Sequence, residues 1–162
     1  MASKDLIKSQ YRASLAMLRQ TIEACPDTLW ADASYSNPFW HVAYHALFFT
    51  HLYLQPKAED FHPWEKDQDD MASLDKKLGD DRAFSKADIL EYFDLCLKQV
   101  EKQVNALDLE ADSGFHWLPM GKLELQFYNI RHIMQHTGEL YERLGAQGEI
   151  ELGWVGHLEN PA

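Results

Sequence analysis

His132 and His136 stand four residues apart in NIRHIMQHTGEL, residues 129–140, a stretch with no proline and one glycine. At about 1.5 Å of rise per residue the two imidazoles are roughly 6 Å apart along a helix, so both can reach one metal ion at about 2.0 to 2.1 Å. Glu139 lies roughly 10 Å of rise from His132 by the same arithmetic, so a third ligand should come from another helix. His41 and His45 form a second pair at the same spacing, within the almost uniformly apolar segment 38–54. A buried imidazole without a partner is unfavourable by on the order of 1 to 3 kcal/mol. A metal ion would satisfy such a group; so would a backbone carbonyl or a buried water.

Segment 38–54 contains no Asp or Glu, which argues against the inward carboxylates of a dinuclear iron site. Three neutral imidazoles predict a mononuclear centre with water or substrate in the remaining positions, and Zn, Ni or Fe(II) all suit it. His51, His62, His116 and His157 have no partner at helical spacing and are expected at the surface or the edge of the core.

Four helices must position these groups. Ile7, Tyr11, Leu15, Leu18, Ile22 and Cys25 recur at threes and fours and form one apolar stripe, closed by Pro26. The second helix is expected to start at Pro38 behind Asn37 as a cap and to stop at Gln55-Pro56; being apolar on nearly every side, it should be the most buried. Ser85 and Asp88 are spaced as a capping box, with Phe84 placed to staple onto Ile89, and the stripe behind them runs to Leu107. The fourth helix should run from Lys122 to Leu144 with Gly145 as a left-handed cap.

Projected at about 100° per residue, the fourth helix carries an apolar arc of Leu123, Phe127, Ile130, Met134, Thr137, Tyr141 and Leu144. His132 and His136 share a different sector with Leu125, Tyr128, Asn129 and Glu139, read as a face toward a partly polar cavity. Glu139 could orient a ligand there or be an exposed carboxylate, and Tyr128 and Asn129 are weaker pocket candidates. Residues 56–84 are acidic, rich in turn formers and too long for a tight connection, which predicts a crossover or a partly helical excursion. The aromatic segments GFHWLPMG (114–121) and LGWVGH (152–157) could cover an end of the fold.

With 162 residues, 46% of them hydrophobic, the chain suits one domain over 1–162. Its net charge of −11 argues against nucleic acid or an anionic membrane as partner. The charged N-terminus lacks an apolar signal core, which predicts a cytoplasmic protein; Cys25 and Cys96 are then expected as buried thiols rather than a disulfide.

WHVAYHALFF at 40–49 and RHIMQHTGEL at 131–140 resemble the DinB/YfiT-like superfamily of small metalloproteins, marked by one histidine on the second helix and HxxxH on the last. The resemblance implies an all-α four-helix bundle with long crossover connections, and a homodimer. It implies His45, His132 and His136 as the metal ligands, with His41 a neighbour. The spacing after Trp40 is shifted by one from the W-H-x-x-H of related sulfoxide-synthase bundle domains, so His41 stays an alternative third ligand. The implied activity is thiol-dependent S-transfer, using a low-molecular-weight thiol such as bacillithiol, mycothiol or glutathione, or hydrolysis of a small-molecule substrate. The alternative is a non-catalytic stress-response or ligand-binding bundle with a structural metal.

Overall fold

Five α-helices and two 3-10 turns make up the computed structural model, which describes residues 3–76, 78 and 80–158; no β-strand is present among them. The helices are α1 (Ser3–Ala24), α2 (Asp27–Trp30), α3 (Phe39–Tyr53), α4 (Lys86–Ala106) and α5 (Lys122–Gly148). None of them is long and apolar enough to cross a membrane.

The capping box forms as its spacing requires. Ser85 Oγ accepts from the Asp88 N–H at 3.1 Å, and the Asp88 carboxylate accepts from the Ser85 N–H at 3.2 Å. Helix α3 starts one residue later than expected: Pro38 is its N-cap, and its carbonyl accepts from the N–H groups of His41 and Val42. Asn37 therefore does not cap with its side chain, and its carbonyl accepts instead from Arg143 Nη1 at 2.8 Å. Helix α5 continues past Gly145 to Gly148, and Glu149 takes the left-handed position at φ 53°. The extra turn has anchors at both ends: Gln147 donates to the Tyr35 hydroxyl, and Ile150, whose N–H reaches the Leu144 carbonyl, packs on the core.

Helices α1 and α3 each pack against both α4 and α5. Side-chain pairs fix the directions. Arg12 meets Glu101 and Arg19 meets Asp94, so α1 and α4 are antiparallel. Cys96 Sγ donates to the Leu47 carbonyl and Gln103 to Gln55, so α3 and α4 run the same way. His45 faces His132 while Tyr53 faces Tyr128, so α3 and α5 are antiparallel.

The core follows the stripes on α1 and α4, where Tyr11, Leu15, Leu18, Ile22, Ile89, Cys96, Val100 and Val104 are fully buried. Each large apolar side chain so removed from water stabilises by about 1.5 to 3 kcal/mol. Helix α3 is buried on most of its circumference, as its composition demands. On α5 the expected apolar arc matches the buried face only in part. Thr137 and Leu144 of that arc are fully buried but Phe127 is 63% exposed, and Leu125, Gln126, Asn129, Ile133 and Leu140 outside the arc are fully buried. Wedged between α1 and α3, this helix buries a sector wider than one stripe. Its polar members bond internally: Asn129 donates to the Tyr11 hydroxyl at 2.9 Å and to the Thr50 carbonyl at 3.3 Å, and Tyr11 donates to Gln126 at 3.0 Å, while Asn129 Oδ1 has no hydrogen-bond partner.

Among its described residues the connection 54–85 holds only the turns Ala58–Asp60 and Asp80–Arg82, yet it is tied down. Met71 and Trp64 are buried, the Tyr44 hydroxyl donates to Asp67, and Lys66 pairs with Asp88 and Glu91. Its first residues are clasped to the next connection. Buried Lys122 donates from Nζ to the carbonyls of Gln55, Pro56 and Ser113, and the Ala58 N–H donates to the Gly114 carbonyl at 3.1 Å. Gly114 is at φ +81°, and a Cβ there would lie 2.2 Å from the Pro56 carbonyl oxygen. Backbone strain alone costs about 1 to 3 kcal/mol at such a position. Gly114→Ala should therefore lower the unfolding free energy by at least about 2 kcal/mol, read as a lower urea midpoint at unchanged slope; an unaltered midpoint would show that the clasp yields freely.

Candidate metal centre

Three histidines from two helices meet on one side of the α3–α5 interface. His45 Nε2 lies 3.1 Å from His132 Nε2, and His136 Nε2 lies 3.2 Å from the same atom. Nitrogens held by one tetrahedral ion at about 2.0 to 2.1 Å are about 3.3 Å apart by trigonometry, so these two spacings are compatible with a shared ion as well as with hydrogen bonds between the rings. His45, His132 and His136 are the one such group of metal-ligating side chains among the described residues.

The hydrogen bonds behind the rings set their tautomers. His45 Nδ1 is 2.7 Å from the Ala72 carbonyl oxygen, which can only accept. His136 Nδ1 is 3.3 Å from Glu139 Oε2, and the hydrogen bond from His136 together with Arg143 holds that carboxyl below its ordinary pKa, so it too accepts. Both rings therefore carry their proton on Nδ1 and turn an Nε2 lone pair toward His132. His132 Nδ1 is buried with no hydrogen-bond partner. With its proton on that atom, all three Nε2 lone pairs face the same point, an arrangement that repels unless a cation occupies it. The donor set and its backing thus fit a divalent ion of the Zn, Ni or Fe(II) kind.

Burial also keeps His45 and His132 uncharged. It lowers His45 to about 4 against the opposing pull of the Ala72 carbonyl, and lowers His132 to about 3 with the neighbouring imidazoles adding to the effect. Neutral imidazole is the form a metal binds. His45 and His132 remain only half-buried, so solvent reaches the centre from one side.

Glu139 is held in turn. Its Oε1 accepts from Arg143 Nη2, and Arg143, itself buried, lies 4.3 Å over the Tyr35 ring. The carboxylate is thus both partly exposed and a positioning group for His136. Sequence reasoning did not single out Arg143, although it sits one turn beyond Glu139 in the same helical sector. The Ala72 carbonyl carries no signal in residue type at all.

The other candidates separate cleanly. His41 is fully buried, and its Nε2 meets the Met71 carbonyl at 2.9 Å. It is the backbone-satisfied alternative and stays outside the three-histidine group. His51 is buried with Nδ1 3.3 Å from the Tyr92 hydroxyl; His62, His116 and His157 are exposed. Asn129 belongs to the core network instead of a pocket, while the half-buried Tyr128 ring lies beside Tyr53 on the histidine face. Of the two tryptophan segments, Trp117 reaches the Tyr53 hydroxyl at 3.5 Å and Trp154 is 76% exposed. Cys25 and Cys96 are free buried thiols.

Elemental analysis of purified protein should find bound transition metal in the parent and in His41→Ala, and none in His45→Ala or His132→Ala; metal retained by His45→Ala would remove that residue from the ligand set. Glu139→Gln should weaken metal binding by about 10- to 100-fold through loss of the ring's carboxylate partner, measured by competition with a chromophoric chelator. Set against known proteins, the chain matches no family model, no curated protein and no solved structure, so its reading rests on this geometry.

Proposed function

We propose that this protein is a metal-dependent enzyme built as a DinB/YfiT-like four-helix bundle, with residues 54–85 as a long crossover and a mononuclear centre on His45, His132 and His136. The observation that carries the proposal is the convergence of three Nε2 atoms, two with their tautomers fixed by acceptors behind them. An ion held there supplies Lewis acidity, which lowers the pKa of water or of a thiol and makes the anion available as a nucleophile at neutral pH. The substrate is then a small molecule. In S-transfer, sulfur of a low-molecular-weight thiol forms a bond to an electrophilic carbon, the leaving group departs with its electron pair, and the thiol proton passes to solvent. In hydrolysis, water takes the place of the thiol.

The chain's own groups support catalysis over a purely structural ion. Helices α3 and α5 are already joined without any metal by Asn129 to Thr50 and by Lys122 to Gln55. The half-exposed faces of His45 and His132 leave room for a further ligand. Arg143 and Glu139 hold the proton on His136 Nδ1, and the Ala72 carbonyl holds the one on His45 Nδ1, so neither ring can reorient during turnover.

The test is a chelated preparation reconstituted with Zn, Ni or Fe(II) and supplied with bacillithiol, mycothiol or glutathione plus an electrophilic acceptor, alongside an ester panel. Activity should depend on added metal and fall at least 100-fold in His132→Ala. A folded protein that holds metal yet shows neither conjugation nor cleavage would instead favour the non-catalytic, ligand-binding reading.

A further inference from the structure

Helices α3 and α5 carry matched ladders at i, i+4 spacing. On α3 the rungs are His45, Phe49 and Tyr53; on the antiparallel α5 they are His136, His132 and Tyr128. The ladders continue from the three histidines as a strip of aromatic rings. The Phe49 centroid lies 4.8 Å from His45, 5.5 Å from His132 and 5.5 Å from Tyr53. Tyr53 lies 5.9 Å from Tyr128 and 5.2 Å from Phe115. Trp117 closes the far end through its Nε1 contact with the Tyr53 hydroxyl. From residue 45 to residue 53 the strip extends roughly 12 Å, at about 1.5 Å per residue.

Two features set this strip apart from ordinary packing. Leu52, Tyr53, Phe115 and Leu125, with Phe49 and Tyr128 against them, form a hydrophobic cluster separate from the main core. Tyr53 and Phe115 are buried within it, but the flanking Phe49 and Tyr128 rings are only partly buried and the neighbouring Trp117 is 45% exposed. The exposed indole is nonetheless presented on a fixed turn. Ser113 Oγ donates to the Leu118 carbonyl at 2.6 Å, the Phe115 N–H donates to Ser113 Oγ, and Lys122 clasps the base of the loop. Rigid aromatic surface that stays in contact with water, and begins at a potential metal vertex, is surface available to a ligand. The Arg131 guanidinium, 5.6 Å from the Tyr128 centroid, places positive charge beside the far end and disfavours a cationic ligand there.

We infer that the substrate of this site is a small molecule with a metal-binding head and a flat, uncharged or anionic aromatic arm, the arm lying along Phe49 and Tyr128 toward Trp117. This inference rests on the three-histidine metal centre proposed above. It adds a substrate class to that centre. A polar substrate of the size of a simple amino acid would leave the strip uncovered.

The experiment uses the full chain loaded with Co(II), whose visible spectrum reports the centre directly, and three hydroxamates of increasing length: acetohydroxamate, benzohydroxamate and biphenyl-4-carbohydroxamate. Calorimetric dissociation constants should fall by about tenfold or more from the first to the last, the order expected when one or two rings leave water for an aromatic wall. The long-to-short affinity ratio should drop to less than about threefold in Trp117→Ala and in Tyr128→Ala, and stay at the parent value in Phe127→Ala, on another face of α5. Equal affinities for all three hydroxamates in cobalt-loaded protein, or a ratio unchanged in both strip variants, would overturn the aromatic-arm inference and leave the metal centre standing. Failure of cobalt to bind at all would overturn the centre, and the arm with it.

Discussion

Two acceptors that cannot donate govern the site. The Ala72 carbonyl and the Glu139 carboxylate each take a proton from a histidine Nδ1, and in doing so they commit the opposite nitrogen of each ring to being a lone pair. Imidazoles pointed at one another would otherwise relieve the crowding by sharing protons. Here that option is closed for two of the three, so the polypeptide itself turns two nitrogen lone pairs toward His132. The connection 54–85 therefore does more than join α3 to α4: it supplies the Met71 carbonyl to His41 Nε2 and the Ala72 carbonyl to His45 Nδ1, so that only the second ring turns its Nε2 toward His132.

That separation explains how far the sequence could be read. The HxxxH pair was legible because both groups sit on one helix, where spacing alone sets their distance. The choice between His41 and His45 was not, since the two share a helical face and identical spacing. It depends on the axial level at which α3 meets α5, a property of long-range packing, and only the family resemblance pointed to His45. Much the same limit applies to α5. An apolar arc of Leu123, Phe127 and Ile130 looked like the buried stripe, yet α5 buries a wider sector, and Gln126 and Asn129 enter it with hydrogen bonds to Tyr11 and Thr50. Capping at Ser85 was readable because it is a purely local exchange of hydrogen bonds, and the stripes of α1 and α4 were readable because their large apolar residues recur at threes and fours between polar ones.

The same logic accounts for the residues that escaped notice. Arg143 looks like an ordinary charged residue near a helix end, but it is buried and holds both Glu139 and the Asn37 carbonyl. Its role becomes visible only once His136 is known to need a carboxylate. Lys122 is similar: a lysine at a helix start suggests solvent, whereas three carbonyls from two connections converge on its ammonium and fix the turn that bears Trp117. Isolated buried cations of this kind are costly unless hydrogen-bonded, and their partners are backbone atoms that no residue pattern announces.

The two cysteines give the arrangement a chemical asymmetry. Cys25 is 1% exposed and Cys96 not at all, and burial raises the pKa of both, Cys25 to about 12. Neither sulfur is a competent nucleophile at neutral pH. An electrophile in solution therefore meets no reactive thiolate on this chain, and neither cysteine offers a site for its capture.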